Sequence, residues 1–167
     1  MRAPPPSTSS AGLGHERIAI ITGHPGVPCS SERRAGYRNA MAGAGLKVDP
    51  RWEACGNFQM HDALQATRAM FDELSEPPTA IFACSDAMAL GVYWALAERG
   101  LRVPDDVSVV GFDDSPAAYH ATPALTTVRQ PWPELGAAGL AALVSDRPPA
   151  RMEIETTLIV RAGTAPA

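Results

Sequence analysis

Short continuous apolar runs alternate along this chain with longer stretches whose apolar positions recur every three to four residues. That rhythm predicts strands and helices in turn. Residues 18–21 are apolar and mostly β-branched and stop at Thr22-Gly23, as a strand buried on both faces would. A loop carrying Pro25 and Pro28 follows, and Ser30 or Ser31 is placed to cap a helix to about residue 44, with Gly45 as its stop. Residues 52–55 predict a second strand. Beyond Gly56, the positions Ala63, Thr67, Met70, Phe71 and Leu74 fall on one helix face, which Pro77-Pro78 ends. Residues 79–84 predict a third strand, after which Ser85 or Asp86 caps a helix carrying Met88, Leu90, Val92, Tyr93 and Leu96 and closed by Gly100. A turn at Pro104-Asp105-Asp106 leads into a fourth strand over residues 107–112.

The last quarter of the chain has a different grain. Residues 125–129 read as a strand or an extended crossover, and Pro131 and Pro133 open a helix through about residue 144. Its apolar face consists of Leu135, Ala138, Leu140, Ala142 and Leu143, and a final strand is expected over about residues 153–161. Strands alternating with helices predict an α/β fold, with a parallel sheet, right-handed crossovers and helices on both faces.

Composition narrows the function. Hydrophobic residues make up 46% of the 167 positions and charged residues 19%, which suits a soluble globular chain. The net charge is -4 and the basic residues gather nowhere beyond Arg33-Arg34, so nothing here neutralises a phosphate backbone. Cys29, Cys55 and Cys84 are odd in number and form no C-x-x-C pair, which points to a reducing, cytoplasmic setting. No apolar run is long enough to span a bilayer. The opening residues have no signal-like apolar core, and residues 1–15 are expected to be a disordered leader.

In an open parallel sheet, ligands bind beyond the carboxyl ends of the strands. The segments there offer Arg33-Arg34, Phe58, Ser85-Asp86 and Asp113-Asp114. A carboxylate accepts from hydroxyls, a guanidinium donates to ring and hydroxyl oxygens, and an aromatic face packs on the C–H face of a sugar. The set suits a polar, polyhydroxylated small molecule. Each residue also has a plainer role open to it: Asp113 or Asp86 as a turn or helix cap, Phe58 as cover for the sheet edge, and one of Arg33 and Arg34 as a solvated side chain. His15, His24, His61 and His120 lack metal-ligand spacing, Ser30-Ser31 sits in no G-x-S-x-G elbow, and no phosphate-cradling glycine loop follows a strand. No cofactor, metal or catalytic residue is expected.

Four segments resemble the LacI/GalR family of transcription regulators, in that family's order: RRAGYRNAMAGAGLKVDPRW (33–52), TAIFACSDAMALGVYWALAERGLRVPDDVSVVGFDD (79–114), TPALTTVRQPWPELGAAGLAAL (122–143) and LIVRAGTAP (158–166). The resemblance covers about residues 17–166. It implies a two-lobed, periplasmic-binding-protein-like core that binds a small effector, a sugar or a relative of one, and is not an enzyme. It further implies effector contacts from Arg33, three residues before Gly36, from Phe58, from Ser85 where the family often has Asn, from Asp113, and from Gln130 at a crossover.

By the same resemblance, residues 16–124 form the carboxyl-terminal lobe. Residues 125–149 are a crossover strand and helix belonging to the amino-terminal lobe, and residues 150–167 return to the first-named lobe. The family's helix-turn-helix and the opening half of its other lobe have no counterpart in these residues, so DNA contact is expected only through a headpiece outside them. A homodimer through residues 63–74 and 88–96 is implied, as is a cytoplasmic location. Two other readings are a free-standing sugar-binding protein of the transport type and a small receiver-like α/β domain or enzyme using Asp113-Asp114. The receiver reading lacks its opposing lysine, because Lys47 is the only one and stands at a helix end.

Overall fold

The computed structural model describes residues 12–145 and 152–167. Six strands form one sheet in the order β2-β1-β3-β4-β5-β6. They are β1 (Ile18–Thr22), β2 (Glu53–Cys55), β3 (Ala80–Ala83), β4 (Ser108–Asp113), β5 (Thr126–Arg129) and β6 (Thr157–Ile159). The first five are parallel, and β6 runs antiparallel along β5 at one edge. The α/β expectation therefore holds, with one reversed edge strand.

Helix α1 (Pro28–Gly43) links β1 to β2, α2 (Met60–Glu73) links β2 to β3, and α3 (Asp86–Glu98) links β3 to β4. The crossover from β1 runs one way along the sheet and the next two run the other way, so right-handed connections put α1 on one face and α2 with α3 on the opposite face. The core lies between them. Ile18, Ala19, Ile20 and Ile21 are wholly buried, as are Tyr37 and Met41 from α1 and Met88, Val92 and Leu96 from α3. These last three lie within the span 88–96 expected at a dimer face, but face the sheet and α2, while Trp94 of the same helix is exposed. Gly91 marks where α2 and α3 cross most closely, since a Cβ there would lie 2.2 Å from the Met60 carbonyl oxygen. Gly91→Ala must push the helices apart and is expected to cost about 1–3 kcal/mol, read as a lower midpoint in thermal denaturation followed by circular dichroism.

Local departures from the expected elements have local causes. Neither Ser30 nor Ser31 caps α1; the helix starts at Pro28 after Val27, with no side-chain cap. Proline brings a helical φ and no N–H to satisfy, so the first turn needs less capping. Residues 50–52 form a 3-10 turn, with the Asp49 carboxylate accepting from the Arg51 N–H, and β2 begins only at Glu53. A short helix not foreseen, α4 (Pro116–His120), is capped by the Ser115 hydroxyl. The final strand is shorter than expected because only residues 157–159 pair with β5.

Two expected boundaries move. Residues 1–11 of the expected leader lie outside the described residues, but His15 belongs to the fold. It is buried, its Nε2 donates to the Ala165 carbonyl (3.0 Å), and its Nδ1 lies 3.0 Å from the Thr79 hydroxyl. The Ala167 N–H reaches the Leu13 carbonyl at 3.0 Å beside it. The strand 126–129, assigned to the other lobe, pairs with β4 inside this sheet, because Thr126, Thr127 and Val128 bury here. Helix α5 (Trp132–Val144) follows it and buries none of its residues; Trp132, Leu140 and Leu143 are exposed.

Candidate ligand-binding site

All five expected contact residues stand at the carboxyl end of the sheet. Arg33 comes from α1, one turn past its start, Phe58 follows β2, Ser85 follows β3, Asp113 closes β4 and Gln130 follows β5. Eighty positions separate Arg33 from Asp113, and parallel strand order brings them together: the Arg33 Nη2 lies 4.0 Å from the Asp113 Oδ1. The Gln130 Nε2 donates to the same oxygen at 2.6 Å. The Arg33 guanidinium lies 5.9 Å from the centre of the Phe58 ring.

Arg33 is held from two further directions. Its Nη1 donates to the Cys84 carbonyl at 2.5 Å, and its Cζ lies 3.8 Å from the centre of the Phe112 ring, a cation–π stack. A planar group so fixed points one edge toward the Asp113 rim. Arg34, its neighbour, takes the solvated role: it is half exposed and, with Arg38, pairs with Glu53. Burial works to raise the Glu53 carboxyl, but the hydrogen bonds from Arg38 and Arg34 outweigh it and hold the group below its ordinary value.

Phe58 does more than cover an edge. A Cβ at Gly23 would fall 2.0 Å from its Cζ, so the ring lies on bare backbone at the end of β1. Positive φ occurs at Asn57 (51°) and Phe58 (61°), and again at Asp113 (127°) and Asp114 (55°). These are the non-glycine cases among the described residues, and all stand where β2 and β4 open into the site. Side chains in that region are strained, and such strain collects where surrounding contacts enforce a functional geometry.

Ser85 is the weakest member. It is buried, and its Oγ accepts from the Met88 N–H at 3.2 Å as the cap of α3. Asp86, weighed as a cap, is instead the first residue of α3 and is wholly buried. Its Oδ1 accepts from the Thr127 hydroxyl at 2.5 Å and its Oδ2 from the Ser115 N–H at 2.7 Å. Gly111 leaves the space, since a Cβ there would sit 2.4 Å from the Asp86 Oδ1. Burial raises the Asp113 carboxyl above its usual value, against the opposing pull of the Gln130 hydrogen bond and the Arg33 charge. The rim so formed offers a fixed cation, a carboxylate that is about one-third exposed, and an aromatic face. That combination recognises hydroxyl-bearing molecules by donating to some of their oxygens and accepting from others.

Sheet order and burial define an α/β domain with a mostly parallel sheet and its polar rim at the strands' carboxyl ends. The model of the periplasmic binding protein-like domain matches residues 10–164, and the chain belongs to that family, as part of the effector-binding domain of a LacI/GalR-type regulator. It is 40% identical over 154 residues to the HTH-type transcriptional regulator CelR of Thermobifida fusca, spanning 89% of this chain and 45% of that protein. It is 43% identical over 133 residues to the ribose operon repressor of Escherichia coli K12, spanning 78% of this chain and 39% of that one. Among solved structures, a CelR–cellobiose complex superposes with a TM-score of 0.86 at 35% identity, covering 94% of this chain and 49% of the other. A dimeric Lac repressor gives 0.90 at 29% identity, covering 98% and 60%. The chain thus spans less than half the length of these curated relatives.

Proposed function

We propose that this chain supplies one wall of an effector site, taking a neutral polyhydroxylated molecule, a sugar or close derivative, through Arg33, Phe58, Asp113 and Gln130, with Ser85 at its margin. The observation that carries the reading is the convergence of Arg33 and Asp113 at one rim. In this reading the chain acts as a regulator rather than an enzyme, in the cytoplasm, as a homodimer, and any DNA contact belongs to a headpiece outside these residues. Ligand would favour one arrangement of the two lobes over another and so bias the heads. These residues supply one wall of the site, so binding by them alone is expected to be weak.

Isothermal titration against a panel of mono- and disaccharides and nucleosides, cellobiose and ribose included, tests it. Saturable binding by a sugar is expected, and Asp113→Ala should weaken it about 30- to 100-fold, the worth of a charged hydrogen bond. Affinity should also fall on acidification, beginning above the ordinary carboxylate range. Burial raises the Asp113 carboxyl, and its protonated form loses an acceptor for ligand hydroxyls. A panel that yields no binding, or an alanine variant that binds as well as the parent, overturns the reading.

A further inference from the structure

The closing LIVRAG segment reaches the site although it lies far from it in sequence. Arg161, just beyond β6, donates from Nη2 to the Asp114 Oδ1 at 2.5 Å and from Nη1 to the Leu125 carbonyl at 2.9 Å. Its Cζ lies 5.8 Å from the centre of the Tyr119 ring. Arg129, the last residue of β5, donates to the other oxygen of Asp114 at 2.6 Å. Both carboxylate oxygens of Asp114 are therefore taken by guanidinium groups from two separate segments, the end of β5 and the stretch after β6. The Asp114 side chain is 8% exposed and that of Arg161 15%. Burial pushes the Asp114 carboxyl upward, but the two arginine hydrogen bonds outweigh it and bring it below its usual value.

Asp114 shares a positive-φ turn with Asp113. On the backbone side, the Asp114 N–H reaches the Thr127 hydroxyl at 3.4 Å and the Ser115 N–H reaches Asp86. The backbone bond at Asp114 is long, and a strained turn persists only when its surroundings over-determine it. The clamp on the Asp114 side chain supplies that second constraint.

We infer that Arg161 is a positioning residue: through Asp114 it fixes the strained turn that aims the Asp113 carboxylate at the Arg33 rim. The inference rests on reading Asp113 as the carboxylate of the site, and it makes the return strand part of the binding machinery without contact to ligand. Arg161→Ala, Arg161→Lys and Asp114→Asn test it in the whole chain, with Arg102→Ala, an exposed residue paired to Asp105 and Asp106, as reference. The readouts in the ligand-free chain are carbon-13 NMR titration of the Asp113 carboxyl and hydrogen exchange at the Asp114 and Ser115 amides. A third readout is titration with cellobiose.

In Arg161→Ala the Asp113 midpoint should move down toward the ordinary carboxylate value as the turn opens to water. Loss of a nearby positive charge alone would move it up, so the direction separates positioning from simple electrostatics. Exchange at the two amides should quicken about tenfold or more in Arg161→Ala and Asp114→Asn. Arg161→Lys should fall between parent and alanine, because one ammonium cannot make both fork bonds. An unmoved or raised Asp113 midpoint with unchanged exchange overturns the inference. So does loss of the whole fold in both Arg161→Ala and Asp114→Asn, since the clamp would then hold the sheet and not the turn. Failure of cellobiose to bind the parent bears on the effector reading alone and leaves the two NMR readouts decisive for Arg161.

Discussion

Replacing Asp86 with alanine is expected to remove about 2–5 kcal/mol of stability, the cost of stranding one buried and one half-buried donor. Both carboxyl oxygens accept hydrogen bonds inside the protein, from the Thr127 hydroxyl and the Ser115 N–H. Water cannot readily relieve the loss at Thr127, because Asp86 is 1% exposed and Thr127 wholly buried. The damage joins three elements: the start of α3, strand β5 and the entry to α4. Urea denaturation should show a lower midpoint with little change in slope, and thermal unfolding should shift by roughly 2–4 °C per kcal/mol. A midpoint within error of the parent would show that these bonds are replaced after mutation. Asp86→Asn should fall between the two, since an amide oxygen still accepts from one donor while its NH2 faces the other.

Arg33→Ala should have the largest effect on ligand. It removes the cation stacked on Phe112 at the rim, and affinity for any sugar the chain binds should fall about 100-fold. Arg33→Lys should recover little of this, although the charge is kept. An ammonium cannot lie flat on Phe112 while donating to the Cys84 carbonyl and facing Asp113. Arg34→Ala, one residue away, should leave affinity unchanged and cost under about 1 kcal/mol, because it is half exposed and Arg38 also serves Glu53. Titration calorimetry on the three variants measures the contrast; equal losses at Arg33 and Arg34 would remove Arg33 from the site.

Much of the fold was readable because parallel strands announce themselves. Residues 18–21 and 80–83 are apolar on both faces, and both faces are buried. The rim was readable for a related reason: parallel strands bring the carboxyl ends of β1 to β5 to one edge, and Arg33, near the start of the helix after β1, approaches Asp113 there. Side-chain commitments were harder to foresee. Sequence offered Ser85 or Asp86 as the cap of α3; the Ser85 hydroxyl takes that place, and Asp86 faces Thr127 instead. Phe112 was passed over as one more strand residue, although its place just before Asp113 turns it toward the open edge and under Arg33.

Nor could local pattern reveal that Arg161 reaches back 47 positions to Asp114. An arginine after a short apolar strand looks the same whether it meets water or a buried carboxylate. The boundary at residue 125 failed for a physical reason as well. Thr-Thr-Val is as suited to an extended crossover as to a paired strand, and only burial against β4 decides between them.

The two extremities of the described chain lie side by side, with Ala167 bonded to Leu13 and Ala165 to His15. This junction sits near Thr79 and Ser108, at the amino ends of β3 and β4 and so at the pole opposite the ligand rim. The covalent starting point of the polypeptide is therefore nearly arbitrary for the architecture. A short peptide could splice residue 167 to residue 12, and the circle could be opened in the exposed stretch around Asp105, giving a circular permutant whose recognition face has the same neighbours in a different reading order.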